Sequence, residues 1–476
     1  MRGAVFFLLL VGLLAPATGF AQGTSTQDQF AAKAAAETSD KQTVYQELNL
    51  FGEAFDRIRR DAVDPVVDMK LVRSAIAGML SGLDSHSAYI DEATWKAEKD
   101  VPGGVVDTTG LAVTLDHGLV RVVSPRDGSP AAKAGIKPGD VIFLIGKEPT
   151  DEMTLTQVEE AMRGPPGSEV VLTLRRSGVD KPLKLTLKRA AYQLKTVSDR
   201  VQAGDIGYIR IAGFDAGTPA AVGVAVQDLR QQTGSKLIGF ILDLRNNPGG
   251  DFDAAVKTAD AFLDKGDITV IKSRDSDQLK RIAATPGDLA NGLPIVALVN
   301  GGTAEEAELV AGALQDNRRA LLLGTKTFGE SAIESVIPLH GEGAIRLTTA
   351  RFLTPNANSI EGKGLTPDLT IEPMKIEKLA EGEQIREADL PGALKNPDLL
   401  KQEQQPQKAG KPSASGQEQP TTGKPAPAAP PGASATLAPA APSVASADLG
   451  SGKDEQLTEA TDVLRGLSLA RARTAD

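Results

Sequence analysis

Between residues 191 and 375, short apolar runs alternate with amphipathic stretches, and this restricts the fold more than any other feature of the chain. Ile206–Ile211, Leu237–Leu244 and Ile295–Val299 read as strands, and Pro219–Gln232, Ala254–Leu263 and Ala304–Gln315 read as helices. Such alternation predicts an α/β domain whose mixed β-sheet is largely parallel. In folds of this kind a site gathers at the carboxyl ends of the strands. Two segments fall there: Leu242-Asp243-Leu244-Arg245-Asn246-Asn247-Pro248-Gly249-Gly250 and Asn300-Gly301-Gly302-Thr303.

A second, smaller domain precedes this one. Ser129-Pro130-Ala131-Ala132-Lys133-Ala134-Gly135-Ile136-Lys137-Pro138-Gly139-Asp140-Val141-Ile142 reads as a short helix ended by glycine, a Pro-Gly turn and a buried strand. Leu155–Arg163 reads as a helix, closed by Gly164-Pro165-Pro166-Gly167, and Val170–Arg175 alternates as a strand. These segments, in this order, resemble a PDZ domain over residues 98–190, a small β-barrel or sandwich with two helices. The resemblance makes Gly110, Leu111, Ala112 and Val113 the peptide-binding turn and strand. There, consecutive backbone N–H groups would cradle a carboxylate while the peptide adds as a strand.

The ends of the chain differ in character. Arg2, the apolar run Val5–Leu14 and the small-x-small triplet Gly19-Phe20-Ala21 read as a signal peptide over residues 1–21. The apolar run is too short to span a bilayer comfortably. The expectation is a periplasmic protein with no membrane span after cleavage. Residues 22–43 are polar and alanine-rich, and are expected to be disordered. Residues 44–97 read as a helical region, with Leu48, Phe51, Phe55 and Ile58 at helical spacing. A linker over 376–452, rich in Pro and Ala from about 402, leads to a helix over 453–474. That helix could pack between chains as a homodimer contact or dock within its own chain. The formal charge of −10 argues against a nucleic-acid partner. With no cysteine and only His86, His117 and His340, there is no thiol nucleophile and no metal-ligand spacing of histidines.

The runs Asn300-Gly301-Gly302-Thr303-Ala304-Glu305-Glu306-Ala307-Glu308 and Gly324-Thr325-Lys326-Thr327-Phe328-Gly329-Glu330-Ser331 resemble the active-site segments of the C-terminal processing (tail-specific) serine peptidases. Leu83-Asp84-Ser85-His86-Ser87-Ala88-Tyr89, the Asn-Pro-Gly-Gly turn, Arg346–Pro355 and Ser359–Asp368 extend the resemblance over roughly residues 45–375. In that family the first run carries Ser-Ala-Ser-Ala-Ser-Glu, with the middle serine as nucleophile. The second carries the general-base lysine, and a glutamine four residues later orients it. The resemblance places Glu305 at the nucleophile position, Glu330 at the base position and Glu334 at the orienting position. It makes Gly249, Gly250 and the backbone amide of Glu306 the oxyanion-hole candidates, and reads His86 as structural.

Glutamate cannot replace a serine alkoxide. It also brings negative charge to the place where an oxyanion must form. The sequence therefore points to a peptidase homologue without its chemistry and without a cofactor. It would bind peptide or protein C-termini as an adaptor or regulator, with an active relative as a candidate partner. Two alternatives stay open. A displaced nucleophile, Thr303 with Lys326 or Ser331, would make it a serine-type endopeptidase. Convergence of Glu305, Glu330 and Glu334 would make a metal or carboxylate site in the old cleft.

Overall fold

The computed structural model describes residues 26–100, 109–151, 153–192, 194–274, 279–341, 343–372, 449–451 and 454–475. The leader expected at 1–21 and nearly all of the linker lie outside them. The chain divides into two compact units, Met1–Met79 and Leu80–Asp476. The first holds the helix Thr26–Asp61 and most of the helix Asp68–Ser81. The segment 22–43, expected to be disordered, is thus helical from Thr26. The alanines that made it look featureless are the strongest helix formers. Tyr45, Leu48, Phe51 and Ile58 are exposed on this unit.

The second unit is built on three sheets. The central one has six strands in the order Leu369–Thr370, Ala320–Gly324, Ile295–Val299, Gly239–Asp243, Ile206–Ile211, Val197–Gln202. All neighbours are parallel except the last pair. This is the α/β architecture expected. Successive side chains alternate between its faces. Phe240, Leu242, Ala297 and Val299 pack with residues of the helices Thr218–Thr233, Phe252–Asp260 and Glu306–Asp316. Ile241, Val296 and Leu298 point the other way, onto Leu457, Ala460 and Leu464 of the C-terminal helix Glu455–Ala475. That helix docks within its own chain, so these apolar residues are not available to a homodimer.

A buried ionic knot fixes the docking. The Arg245 guanidinium, fully buried, donates to Asp243 (Nη2–Oδ2 2.6 Å) and to Asp454 (Nη1–Oδ1 2.8 Å, Nη2–Oδ2 2.6 Å). Gln456 accepts from Arg245 at 3.1 Å and donates to the carbonyl of Ile371 at 2.7 Å.

The PDZ sheet runs Leu111–Asp116, Leu119–Pro125, Val141–Ile145, Glu169–Arg175, Leu183–Lys188, and encloses its own core around Val122, Ile142, Leu172 and Leu174. Its helix Leu155–Met162 begins with a capping box between Thr154 and Gln157. Two contacts tie it to the core: Arg210 donates to Asp127 at 2.9 and 3.2 Å, and Ser124 Oγ donates to the carbonyl of Asn246 at 2.7 Å. The third sheet pairs Gly343–Leu353 with Ala88–Ile90, Asp267–Ser273 and Ala332–Leu339.

Candidate functional site

The two glycine-containing turns expected at the strand ends meet. Asn246 N–H donates to Asn300 Oδ1 (2.9 Å), Asn300 Nδ2 returns a bond to Asn246 Oδ1 (2.8 Å), and Ala304 N–H donates to the carbonyl of Asn247 (2.9 Å). Gly250 has φ 146°, and a Cβ there would lie 2.2 Å from the Phe214 carbonyl oxygen, so only glycine fits. A Cβ on Gly249 would lie 2.6 Å from Cβ of Glu305.

Glu305 occupies the sharp turn into the helix Glu306–Asp316, with φ 46° and ψ −124°. A side chain held there costs about 1–3 kcal/mol, supported by the surrounding structure. Its carboxyl hydrogen-bonds Glu306. Burial, then the charges of Glu330, Glu306 and Glu334, push it well above the ordinary glutamate range. Glu306 in turn accepts from the Gly250 amide (Oε2–N 2.9 Å), and burial raises it to about 7 against that bond. Of the oxyanion-hole candidates, Gly250 therefore donates to a carboxylate of its own chain. The Gly249 amide donates to Asn247 Oδ1 at 2.9 Å, and the Glu306 amide bonds its own side chain.

Glu330 faces His86, with Nδ1–Oε1 at 3.0 Å. Glu334 lies 3.9 Å from the same nitrogen and 3.5 Å from Nε of Arg346. Burial, opposed by Arg346 and His86, raises Glu334. Burial alone would lower His86, but the hydrogen bond and charge of Glu330, with Glu334 and Asp84, hold it at about 9. His86 is thus part of the charge balance of the cleft, a role that reading it as merely structural misses. Asp84 presents it by accepting the amides of His86 (2.9 Å) and Ser87 (2.7 Å). The only sequence signal was its place in the Leu-Asp-x-His-Ser-x-Tyr run.

Glu308 was missed as well. Fully buried, it accepts from the Thr327 hydroxyl, the Gly329 amide (2.9 and 3.0 Å) and the Glu330 amide (2.8 Å), tying the Glu330 loop to the helix. Burial lifts it to about 8 against those bonds.

The displaced hydroxyls are committed elsewhere. Thr303 Oγ1, fully buried, donates to the Leu244 carbonyl (2.9 Å) and accepts from the Asn300 amide (3.0 Å). Ser331 Oγ donates to Glu361 at 2.8 Å. Lys326 is exposed. The metal alternative is not supported by the geometry. Among the described residues no group of three or more His, Asp or Glu could hold a metal ion. Glu305 is turned onto Glu306, Glu306 onto the Gly250 amide and Glu330 onto His86. At the PDZ turn, Gly110 has φ 74° and Leu111–Asp116 follows as an edge strand.

Comparison with known proteins agrees with this architecture. Residues 205–371 match peptidase family S41 and residues 121–176 match the PDZ domain family. The chain is 41% identical over 379 residues to the carboxy-terminal-processing protease of Bartonella bacilliformis, covering 79% of this chain and 84% of that one. It is 32% identical to the carboxy-terminal processing protease CtpA of Bacillus subtilis, covering 77% and 76%. Among solved structures, a photosystem II D1 C-terminal processing protease superposes with a TM-score of 0.58 at 31% identity, covering 68% of this chain and 92% of that one. With a peptidase core whose two site-bearing turns interlock, and a PDZ domain bonded to one of them, the chain belongs to the C-terminal processing peptidases of family S41.

Proposed function

We propose that this chain binds peptide or protein C-termini through its PDZ domain, as an adaptor or regulator, and does not cleave them by serine chemistry. The observation that carries this reading is the pair Glu305 and Glu306. A carboxyl stands on the strained turn where the family resemblance puts the nucleophile. A second carboxylate sits on the Gly250 amide that would have to receive an oxyanion. The competing reading, a serine endopeptidase, draws on the preserved turn geometry and on what the relatives are called. It needs a hydroxyl to act, and Thr303 and Ser331 are both engaged.

The leader at the N-terminus supports a periplasmic location. The exposed Tyr45, Leu48, Phe51 and Ile58 give the N-terminal helices a face for a second copy or an active relative.

Apolar peptides with a free C-terminal carboxylate are expected to bind the full chain in the micromolar range or weaker. Their amidated forms are expected to lose at least tenfold, because backbone amides select the charge. Isothermal titration checks this, and equal affinity for the two forms would count against the groove.

A further inference from the structure

Asp454, Arg245, Asp243, Arg210 and Asp127 form a row of charges that alternate in sign. Asp454, beside the start of the C-terminal helix, holds Arg245 (Oδ2–Nη2 2.6 Å). Arg245 holds Asp243 (Nη2–Oδ2 2.6 Å). Arg210 lies 3.6 Å from the other Asp243 carboxylate oxygen and donates to the Asp243 carbonyl at 3.2 Å. Arg210 in turn holds Asp127 at 2.9 and 3.2 Å. The first four side chains are buried, while Asp127 keeps 30% of its side chain in solvent.

The row joins two places that are far apart in sequence. At one end, Asp127 stands in the turn that packs on Gly110, the start of the PDZ carboxylate turn. The Arg126 amide and the Ser129 hydroxyl both donate to the Gly110 carbonyl, at 2.8 and 3.4 Å. A Cβ on Gly110 would lie 2.1 Å from Cβ of Ser129, so the turn cannot shift without moving Gly110. At the other end, Asp454 accepts the Gly450 amide at 2.7 Å. The Gly450 carbonyl accepts from Arg200 at 3.0 Å, and that guanidinium lies 3.9 Å over the Tyr208 ring. The Tyr208 hydroxyl donates to Asp243 at 2.8 Å, a second link into the row. Residues 373–448 separate the helix from the strand Leu369–Thr370, so its release breaks no strand pairing.

We propose that the C-terminal helix regulates the PDZ groove: its docking and the capture of a peptide carboxylate strengthen each other through this row. The inference rests on the peptide-binding reading and adds its regulation. Asp243 is shared by two arginines, in a buried setting where charges act strongly on one another. With Asp454 in place, Arg245 has a counter-ion on each side and Asp243 can also serve Arg210. With the helix released, Arg245 draws on Asp243 alone, Arg210 keeps only Asp127, and the turn against Gly110 loosens. Linkage makes the effect reciprocal, so a peptide that fixes the turn must hold the helix down by the same factor. The helix, docked or released, is the two-state element that both sites bias.

Hydrogen exchange on the full chain, read by mass spectrometry, follows both ends at once. The probe is a synthetic peptide with an apolar end and a free C-terminal carboxylate, and its amidated form is the control. At saturating free-acid peptide, exchange is expected to slow at Leu111–Asp116 and, about fivefold, at Leu457–Leu464. The amidated form should do neither. Asp454→Asn and Asp127→Asn should each bind the free-acid peptide about fivefold more weakly, and the double variant no more weakly than either. Asp127→Asn leaves the helix contacts untouched, yet peptide bound to it should no longer slow exchange at Leu457–Leu464. Protection confined to Leu111–Asp116 in the unaltered chain, or full helix protection in Asp127→Asn, would overturn the coupling. No protection at Leu111–Asp116 would sink the PDZ reading, and the coupling with it.

Discussion

Arg245→Ala is expected to destabilise the protein by about 3–5 kcal/mol, the usual effect of breaking a buried ion pair from one side. The guanidinium is fully buried and holds two carboxylates, Asp243 and Asp454, with Gln456 beside them. Without it Asp454 loses its cation, and Asp243 keeps only Arg210 at 3.6 Å and the Tyr208 hydroxyl at 2.8 Å. Asp454 also accepts the amides of Gly450 (2.7 Å) and Leu457 (3.1 Å), so the start of the C-terminal helix loses its anchor too. Arg245→Lys should recover little, because an ammonium cannot fork to two carboxylates. Urea denaturation reads the loss, and limited proteolysis should show cleavage near residues 449–475. A loss under about 1 kcal/mol would mean that the knot behaves as an exposed pair.

The second large effect is a dependence on pH with an unusual sign. Glu306 and Glu308, raised by burial to about 7 and about 8, contribute stability that is full near their ordinary range. That contribution is lost as pH rises through those values. His86, held at about 9 above an ordinary 6.5, contributes stability that is full below about 6.5 and lost as pH rises through 9. All three lower stability as pH rises from about 6.5 to 7; Glu306 is spent by about 7 and Glu308 by about 8, which leaves His86 alone up to 9. The protein should lose stability over the window from pH 6 to 9, read as a falling Tm, with the steeper part below about pH 8. Glu308→Gln should flatten the part of the profile below about pH 8 and leave the part due to His86. A Tm that is level or rising from pH 6 to 9 would contradict the charge states assigned to the cleft. Asp243, depressed chiefly by Arg245 and Arg210 against its burial, acts only in strong acid and leaves the window untouched.

The central strands were legible because nearly every residue in them is apolar. Ile206–Ile211 and Ile295–Val299 match their expected bounds, and the ends of the helices differ by one to three residues. What covers the sheet's second face was not legible. The chain leaves the sheet after Ile371, and Leu457 and Leu464 arrive only beyond residues 373–448, so no local pattern joins them. The same holds for His86, which meets Glu330 only through the pairing of Ala88–Ile90 with Gly343–Leu353 and of that strand with Ala332–Leu339. Motif spacing drew attention to the backbone of Glu306, yet its side chain is long enough to fold back onto Gly250. Alternation by two and by three to four residues reports burial along one element, and says nothing about contacts between distant ones.

The most direct test of the central claim is a cleavage assay of the full-length chain on an unstructured protein substrate, beside Thr303→Ala and Ser331→Ala variants. The expected result is no turnover by any of the three, with binding of free-acid peptides intact. Turnover by the unaltered chain that disappears in either variant would identify a working hydroxyl and return the protein to the active serine peptidases.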